Sequence, residues 1–247
     1  MEVTAHRGFG EAYPENTVKA AERAGELADR VEIDVRRCGS GELVASHFDR
    51  VRVVSDGTGR VRNLSVGELA ALSVQGSDEG IRELEDVAAA VPSDTAIAFD
   101  LKQPGVASDT IGLAERIDND VVVASFYADA LWEARDVDSG IPLSYHFDVR
   151  LDRNMTTARL LDCEYVSPHW SLALGTDVVD RAHDEGMKVE PWAVASSAVA
   201  DFLGTEGVDS LAVTSPTLTP DDVGRLERAR VLTEVSSVLE RLRGLGR

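Results

Sequence analysis

Eight short strand-like runs mark this chain, at 3–7, 31–36, 95–101, 121–126, 141–146, 165–168, 188–194 and 210–214. From residue 81 onward, stretches of helical character fall between them, near 83–91, 106–117, 128–137, 154–162, 176–185 and 196–204. Strand and helix in strict alternation are the mark of a parallel α/β sheet. Strand interiors are built from Val, Ile, Ala and Leu, and the polar and aromatic residues collect at the strand ends. A length of 247 residues suits one large domain.

The densest chemistry lies between residues 6 and 47. Val3–Arg7 reads as a buried strand running into His6-Arg7-Gly8. After Pro14-Glu15-Asn16-Thr17, Val18, Ala21, Ala24 and Ala28 recur at helical spacing, with Asn16 the expected cap. Val31-Glu32-Ile33-Asp34-Val35 alternates with period two, so both acids leave one face of a strand. Two carboxylates on an inner face are costly to bury unless something positive sits between them, and a hard divalent cation is the simplest candidate. Arg37–Glu42 reads as a tight turn and 43–46 as a return strand that delivers His47. The same parity applies to 95–102, where Ala96, Ala98, Asp100 and Lys102 share one face while Ile97, Phe99 and Leu101 share the other. Other strand-end residues are Phe126, His146, His169 and Trp192; His146 and His169 read as polar lining.

In this order these motifs resemble the glycerophosphodiester phosphodiesterases. Their pattern is a His-Arg-Gly strand end, a Pro-Glu-Asn-Thr helix start, a Glu-x-Asp strand and a His after a hairpin. The resemblance is dense over 3–72 and traceable to about residue 216. It implies a TIM-type (β/α)8 barrel, which typically takes about 250 residues, as a single domain over 1–247 with a small insertion at about 37–80 after the second strand. It also implies metal-dependent hydrolysis of a glycerophosphodiester to a glycerol phosphate and an alcohol. Glu32, Asp34 and Asp100 are then expected to hold Mg²⁺ or Ca²⁺, and His6 and His47 to act as general base and general acid. Arg7, Lys102 and Trp192 are expected to bind substrate. The chain departs from the family at four places. Phe48 follows the second histidine where an Asp is usual, and Asp100 stands for a Glu. Ala195 and Ser215 replace a late Asn and Asp. A phospholipase-type diesterase and a catalytically silent binding protein are the alternatives on the same scaffold.

Composition narrows the partners. With 44 acidic against 25 basic residues, the net charge is −19. Nucleic acid and anionic membrane surfaces are poor partners for such a chain. Lysine occurs only at positions 19, 102 and 188, and an acidic, lysine-poor surface is expected in a high-salt, halophilic cytosol. No apolar run approaches the roughly 18–20 residues of a membrane span, and the first strand begins near the N-terminus, so a cytoplasmic protein without stable membrane association is expected. Cys38 and Cys163 read as isolated buried thiols. Ser65 and Glu68 form a capping box opening a helix over 65–72. The glycines of 56–59 read as turn chemistry, and 220–243 as a final amphipathic helix or pair.

Overall fold

The computed structural model describes residues 1–218. Its strands are β1 (Glu2–Ala5), β2 (Arg30–Arg37), β3 (Leu43–Ala45), β4 (Ala96–Leu101), β5 (Val121–Ser125), β6 (Leu143–Phe147), β7 (Tyr165–Pro168), β8 (Lys188–Val189) and β9 (Ser210–Val213). Eight of them run side by side in the order β8-β7-β6-β5-β4-β2-β1-β9, every pair parallel. The two ends of that order meet. Val194 bridges Val213, with its N–H donating to the Ala212 carbonyl at 2.9 Å. The sheet is therefore a barrel, and β3 lies off it, antiparallel to β2.

The helices are α1 (Val18–Gly25), α2 (Val66–Ala70), α3 (Leu84–Ala89), α4 (Ala107–Ala114), α5 (Ala128–Val137), α6 (Leu151–Leu160), α7 (Trp170–Gly175), α8 (Val178–Asp184) and α9 (Ser197–Thr205). Strand parity decides what they cover. Ile33, Val35, Ile97, Phe99 and Leu101 are at most 1% exposed and pack in one cluster with Leu84, Val87, Ile111 and Leu131 of the helices. Burying each such side chain contributes about 1.5–3 kcal/mol. The alternate residues of β2 and β4 face the barrel interior, which places the acids there.

A second aliphatic cluster, of Cys38, Val44, Val51, Val61, Leu69, Val74 and Ile81, forms the core of the insertion after β2. Ser65 and Glu68 make the reciprocal capping box at the start of α2. Gly80 is required here, since a Cβ would lie 2.2 Å from the Ala70 carbonyl oxygen. At the amino-terminal end of the barrel, the buried Glu190 carboxylate accepts from Thr4 Oγ1 at 2.7 Å, Arg30 Nη1 at 2.8 Å and Ser210 Oγ at 2.7 Å. Arg30 also donates to the Tyr165 hydroxyl at 3.0 Å. These groups tie four strands together at that end.

Several boundaries differ from expectation for local reasons. Thr17, not Asn16, caps α1, accepting from the Ala20 N–H at 3.2 Å. Asn16 adopts a left-handed φ of 57°, which Asn tolerates, and its side chain turns inward. The run 188–194 narrows to two strand residues because Pro191 has no N–H to donate. The helix Trp170–Gly175 was not anticipated; it follows β7 directly and is only six residues long. Short 3₁₀ turns at Val51–Val53 and Val61–Asn63 occupy a segment without helical period. Both cysteines are buried and unpaired as expected, and burial pushes the Cys163 thiol up to about 12. The expected helix over 220–243 lies outside the described residues.

Candidate active site

β1 leads into Ala5-His6-Arg7-Gly8, where the backbone turns sharply. His6 N–H donates to the Val213 carbonyl at 2.9 Å, and Gly8 N–H to Ala5 at 3.0 Å. Gly8 has φ +70° and lies so close to α1 that a Cβ would meet Ala20 at 3.0 Å. Only glycine suits that turn, and the turn sets both His6 and Arg7 at the carboxyl-terminal rim of the barrel.

Register brings the acids together. Asp34 pairs with Asp100 across β2 and β4, and Glu32 sits two residues below on the same face. One oxygen from each of Glu32, Asp34 and Asp100 lies within 4.8 Å of the others, and all three residues are buried. Asp34 is held from many sides. Asn16 Nδ2 donates to its Oδ2 at 2.7 Å, and the Asp34 N–H returns to Asn16 Oδ1 at 2.9 Å. Lys102 Nζ reaches Asp34 Oδ1 at 2.8 Å and also pairs with Asp100. Against the upward push of burial, Lys102 and His47 hold the Asp34 carboxyl well below its ordinary range. Burial opposes ionisation of Asp100 too, and Lys102 and His146 outweigh it. Glu32 goes the other way: burial, then the charges of Asp34 and Asp100, push it well above. Burial works against the Lys102 ammonium, but Asp100 and Asp34 keep it charged.

This donor set fits a hard divalent cation. Asp100 Oδ1 is buried without a hydrogen-bond partner. The Glu32 carboxylate makes no hydrogen bond among the described residues, and its ion-pair neighbour is His6 Nε2 at 3.7 Å. Buried carboxylate oxygens left without donors are costly, and hard cations of the Mg²⁺ and Ca²⁺ type are bound by oxygen ligands of this kind.

His47 is hydrogen-bonded to three residues. Arg7 Nη2 lies 3.0 Å from its Nε2, and a guanidinium only donates, so Nε2 accepts and Nδ1 carries the proton. Nδ1–H then donates to Asp34 Oδ1 at 3.1 Å. Arg36 grips the His47 carbonyl with Nε at 3.0 Å and Nη2 at 2.8 Å. Phe48 packs edge-on against the His47 ring at 4.6 Å and beneath the Arg7 guanidinium at 5.4 Å. Its replacement of an acid therefore leaves His47 oriented, and Asp49 turns away to Arg60 and Arg62. His6 is kept neutral, with burial and then the Arg7 charge lowering it to about 3. Arg7 is further steadied by Glu15 Oε2 at 3.4 Å.

A cavity of about 280 Å³ opens over these groups, its wall including His6, His47, Lys102, Phe126, His146 and Trp192. Trp192 stands edge-on to Phe126 at 4.9 Å and to His169 at 5.1 Å. All eight residues singled out from the sequence as site candidates thus gather at one end of the barrel. Four more belong there: Asn16, Arg36, Phe126 and His146. Strand-end position was the available signal for Phe126 and His146; nothing local pointed to the inward turn of Asn16. His169 accepts from Ser171 N–H at the start of α7, and the exposed Ala195 and the Ser215–Thr217 turn lie off the cavity wall. A larger cavity of about 640 Å³ lies at the opposite end, where Arg30 and Tyr165 line it with several acids.

A closed parallel barrel with its ionisable residues crowded at the carboxyl-terminal strand ends defines a TIM-barrel protein of the enzyme type. Within that class, the chain belongs to the glycerophosphoryl diester phosphodiesterase family, whose model matches residues 6–218. It is 27% identical over 243 residues to a glycerophosphodiester phosphodiesterase of Caldanaerobacter subterraneus, covering 87% of this chain and 94% of the relative. A glycerophosphodiester phosphodiesterase structure from Agrobacterium tumefaciens superposes with a TM-score of 0.78 at 18% identity, covering 89% of this chain and 99% of its own. A phosphodiesterase from Oleispira antarctica, solved with its product sn-glycerol-3-phosphate, gives 0.78 at 23% identity and covers 97% of both chains. Those two likenesses establish the fold. No helix among the described residues is long and apolar enough to cross a membrane.

Proposed function

We propose that this chain hydrolyses glycerophosphodiesters to a glycerol phosphate and an alcohol, using Mg²⁺ or Ca²⁺ held by Glu32, Asp34 and Asp100. The observation that carries the reading is the buried carboxylate triad, with Asp100 Oδ1 unpartnered, beneath His6, His47, Arg7 and Lys102 in a chain of this family. The bound cation would polarise a phosphoryl oxygen and offset its charge.

The chain's own residues supply the rest. Arg7 and Lys102 bind the other phosphoryl oxygens, Arg7 leaving His47 as it does so. His6, neutral through burial, takes the proton of the attacking hydroxyl, whether that is the neighbouring glycerol hydroxyl or water. A new P–O bond forms as the bond to the departing alcohol breaks; where the glycerol hydroxyl attacks, the product is a cyclic phosphate, and water then opens it to the glycerol phosphate, its P–O bond to the ring hydroxyl breaking as that oxygen regains a proton. Once Arg7 has left it, His47 takes a proton from solvent at Nε2, the added charge met by Asp34 at Nδ1–H, and, held by Arg36, delivers that proton to the oxygen of the departing alcohol. Trp192 and Phe126 wall the organic part of the substrate. The product held by the Oleispira neighbour supports a glycerol phosphate as the product.

The test is a panel of glycerophosphodiesters assayed for glycerol phosphate release in high-salt buffer, with Mg²⁺, with Ca²⁺ and with chelator. Release that chelation stops is expected. No turnover of any diester overturns the enzymatic reading, and full turnover under chelation overturns the role given to the triad.

A further inference from the structure

His146 is a buried residue of the cavity wall that the chemistry above does not use. It lies at the carboxyl-terminal end of β6, 5% exposed, with its ring edge-on to Phe126 at 5.2 Å. Its Nδ1 is 3.5 Å from Asp100 Oδ2, and among the described residues it has no other ion-pair partner. β5 stands between β4 and β6, so this contact crosses a whole strand. The row level with Asp100 carries Ala124 and Ser144, whose small side chains leave the imidazole room to reach back.

Asp100 is held by fewer groups than Asp34, opposite which it lies. Asp34 has Asn16, His47, Arg7 and Lys102 around it, whereas among the described residues Asp100 has Lys102 and His146 alone, both on Oδ2, with Oδ1 buried and bare. When Lys102 turns to a phosphoryl oxygen, His146 is the remaining group that fixes the carboxylate. His146 is not itself within ligand distance of all three acids, so it acts through Asp100.

We infer that His146 is a positioning residue for the cation site: by holding Asp100 Oδ2 it keeps Oδ1 available beside Glu32 and Asp34. The inference rests on the triad being a divalent-cation site. Partners of this kind, one step removed from a bound metal, typically contribute about 10–100-fold to its affinity.

Titration calorimetry with Mg²⁺ and with Ca²⁺ on the parent, His146→Ala and His146→Gln, with melting curves of each in chelator, tests it. His146→Ala should bind the cation about 10–100-fold more weakly while its chelated form melts near the parent. His146→Gln, which keeps an N–H donor, should recover most of that loss. A rescue of this kind would not follow from a role in packing. If His146→Ala does not fold, His146→Leu, close in volume to Gln and lacking the donor, takes its place in the comparison. Parental affinity in the donor-less variant, or a Gln variant as weak as it, overturns the inference and leaves the cation site standing. Absence of binding by the parent overturns the cation site itself, and this inference with it.

Discussion

Lys102→Met replaces the ammonium bridging Asp34 and Asp100 with an apolar chain of similar length. Asp34 keeps the Asn16 amide, His47 and Arg7, but among the described residues Asp100 keeps only His146 at 3.5 Å. A fully buried carboxylate so deprived takes up a proton. The cost of doing so is about 1.4 kcal/mol for each pH unit above the ordinary aspartate value near 3.9. That sets a ceiling of about 5 kcal/mol at pH 7.5 and about 2 kcal/mol at pH 5.5. In the parent, the Asp100 carboxyl is held below its ordinary value, so its stabilisation is present above about pH 4 and lost as pH falls further. In the variant the carboxyl is raised, and stability is lost as pH rises from about 4. The gap between the two proteins must therefore widen with pH. For a chain of this size, 5 kcal/mol corresponds to roughly 10–20 °C in melting temperature. Added Mg²⁺ or Ca²⁺ replaces the missing positive charge and should stabilise the variant by about 2.7 kcal/mol at a hundred times its Kd, raising its midpoint more than the same concentration raises the parent's. Melting curves at pH 5.5 and 7.5, in chelator and with saturating cation, decide it. A variant that melts with the parent in chelator at both pH values refutes the electrostatic account of the triad.

His47→Ala should fold and bind cation as the parent does while turnover falls by about 10²–10⁴; full activity would make the His47 contacts incidental. Glu190→Ala strands the Arg30 guanidinium at the amino-terminal end of the barrel, with Glu2 and Tyr165 left beside it. It should cost about 3–5 kcal/mol, as breaking a buried ion pair does, with turnover of the folded enzyme unchanged. A midpoint within a degree or two of the parent would show that the network contributes little.

The parts of this molecule legible in its sequence are those where one strand's parity decides the outcome. Val31–Val35 puts Glu32 and Asp34 on one face whatever surrounds them, and Ala96–Lys102 does the same for Asp100 and Lys102. What parity does not show is which acids meet, because register is set between strands: Asp34 lies opposite Asp100, and Glu32 opposite Ala98. Asn16 illustrates the other limit. Its residue type suits a helix cap, and Thr17 beside it suits one equally. The choice falls to Thr17 because Asn16 meets both the carboxylate and the N–H of Asp34, eighteen residues away in sequence. Phe48 looked like a loss to the site, yet its neighbours compensate through contacts that no local pattern contains, Arg36 on the His47 carbonyl above all. His146 was visible as a strand-end histidine but not as a partner of Asp100, since the contact reaches over β5.

Charge makes the last prediction. The chain carries −19, yet its site collects Arg7, Arg36 and Lys102 in one cavity wall. Mutual repulsion of surface acids destabilises the compact state, and it also opposes the approach of an anionic diester. Both effects act across many ångströms and are screened, whereas contacts such as Lys102 to Asp34 at 2.8 Å are buried and barely affected. Raising KCl should therefore raise the melting temperature and lower KM together. The Debye length falls from about 10 Å at 0.1 M to about 3 Å at 1 M, so most of the gain should come below about 1 M. A midpoint that keeps climbing in proportion to salt at higher concentration would instead mark exclusion of the salt from the surface. A midpoint and KM unchanged between 0.1 and 1 M would mean that the acidic surface serves solubility alone.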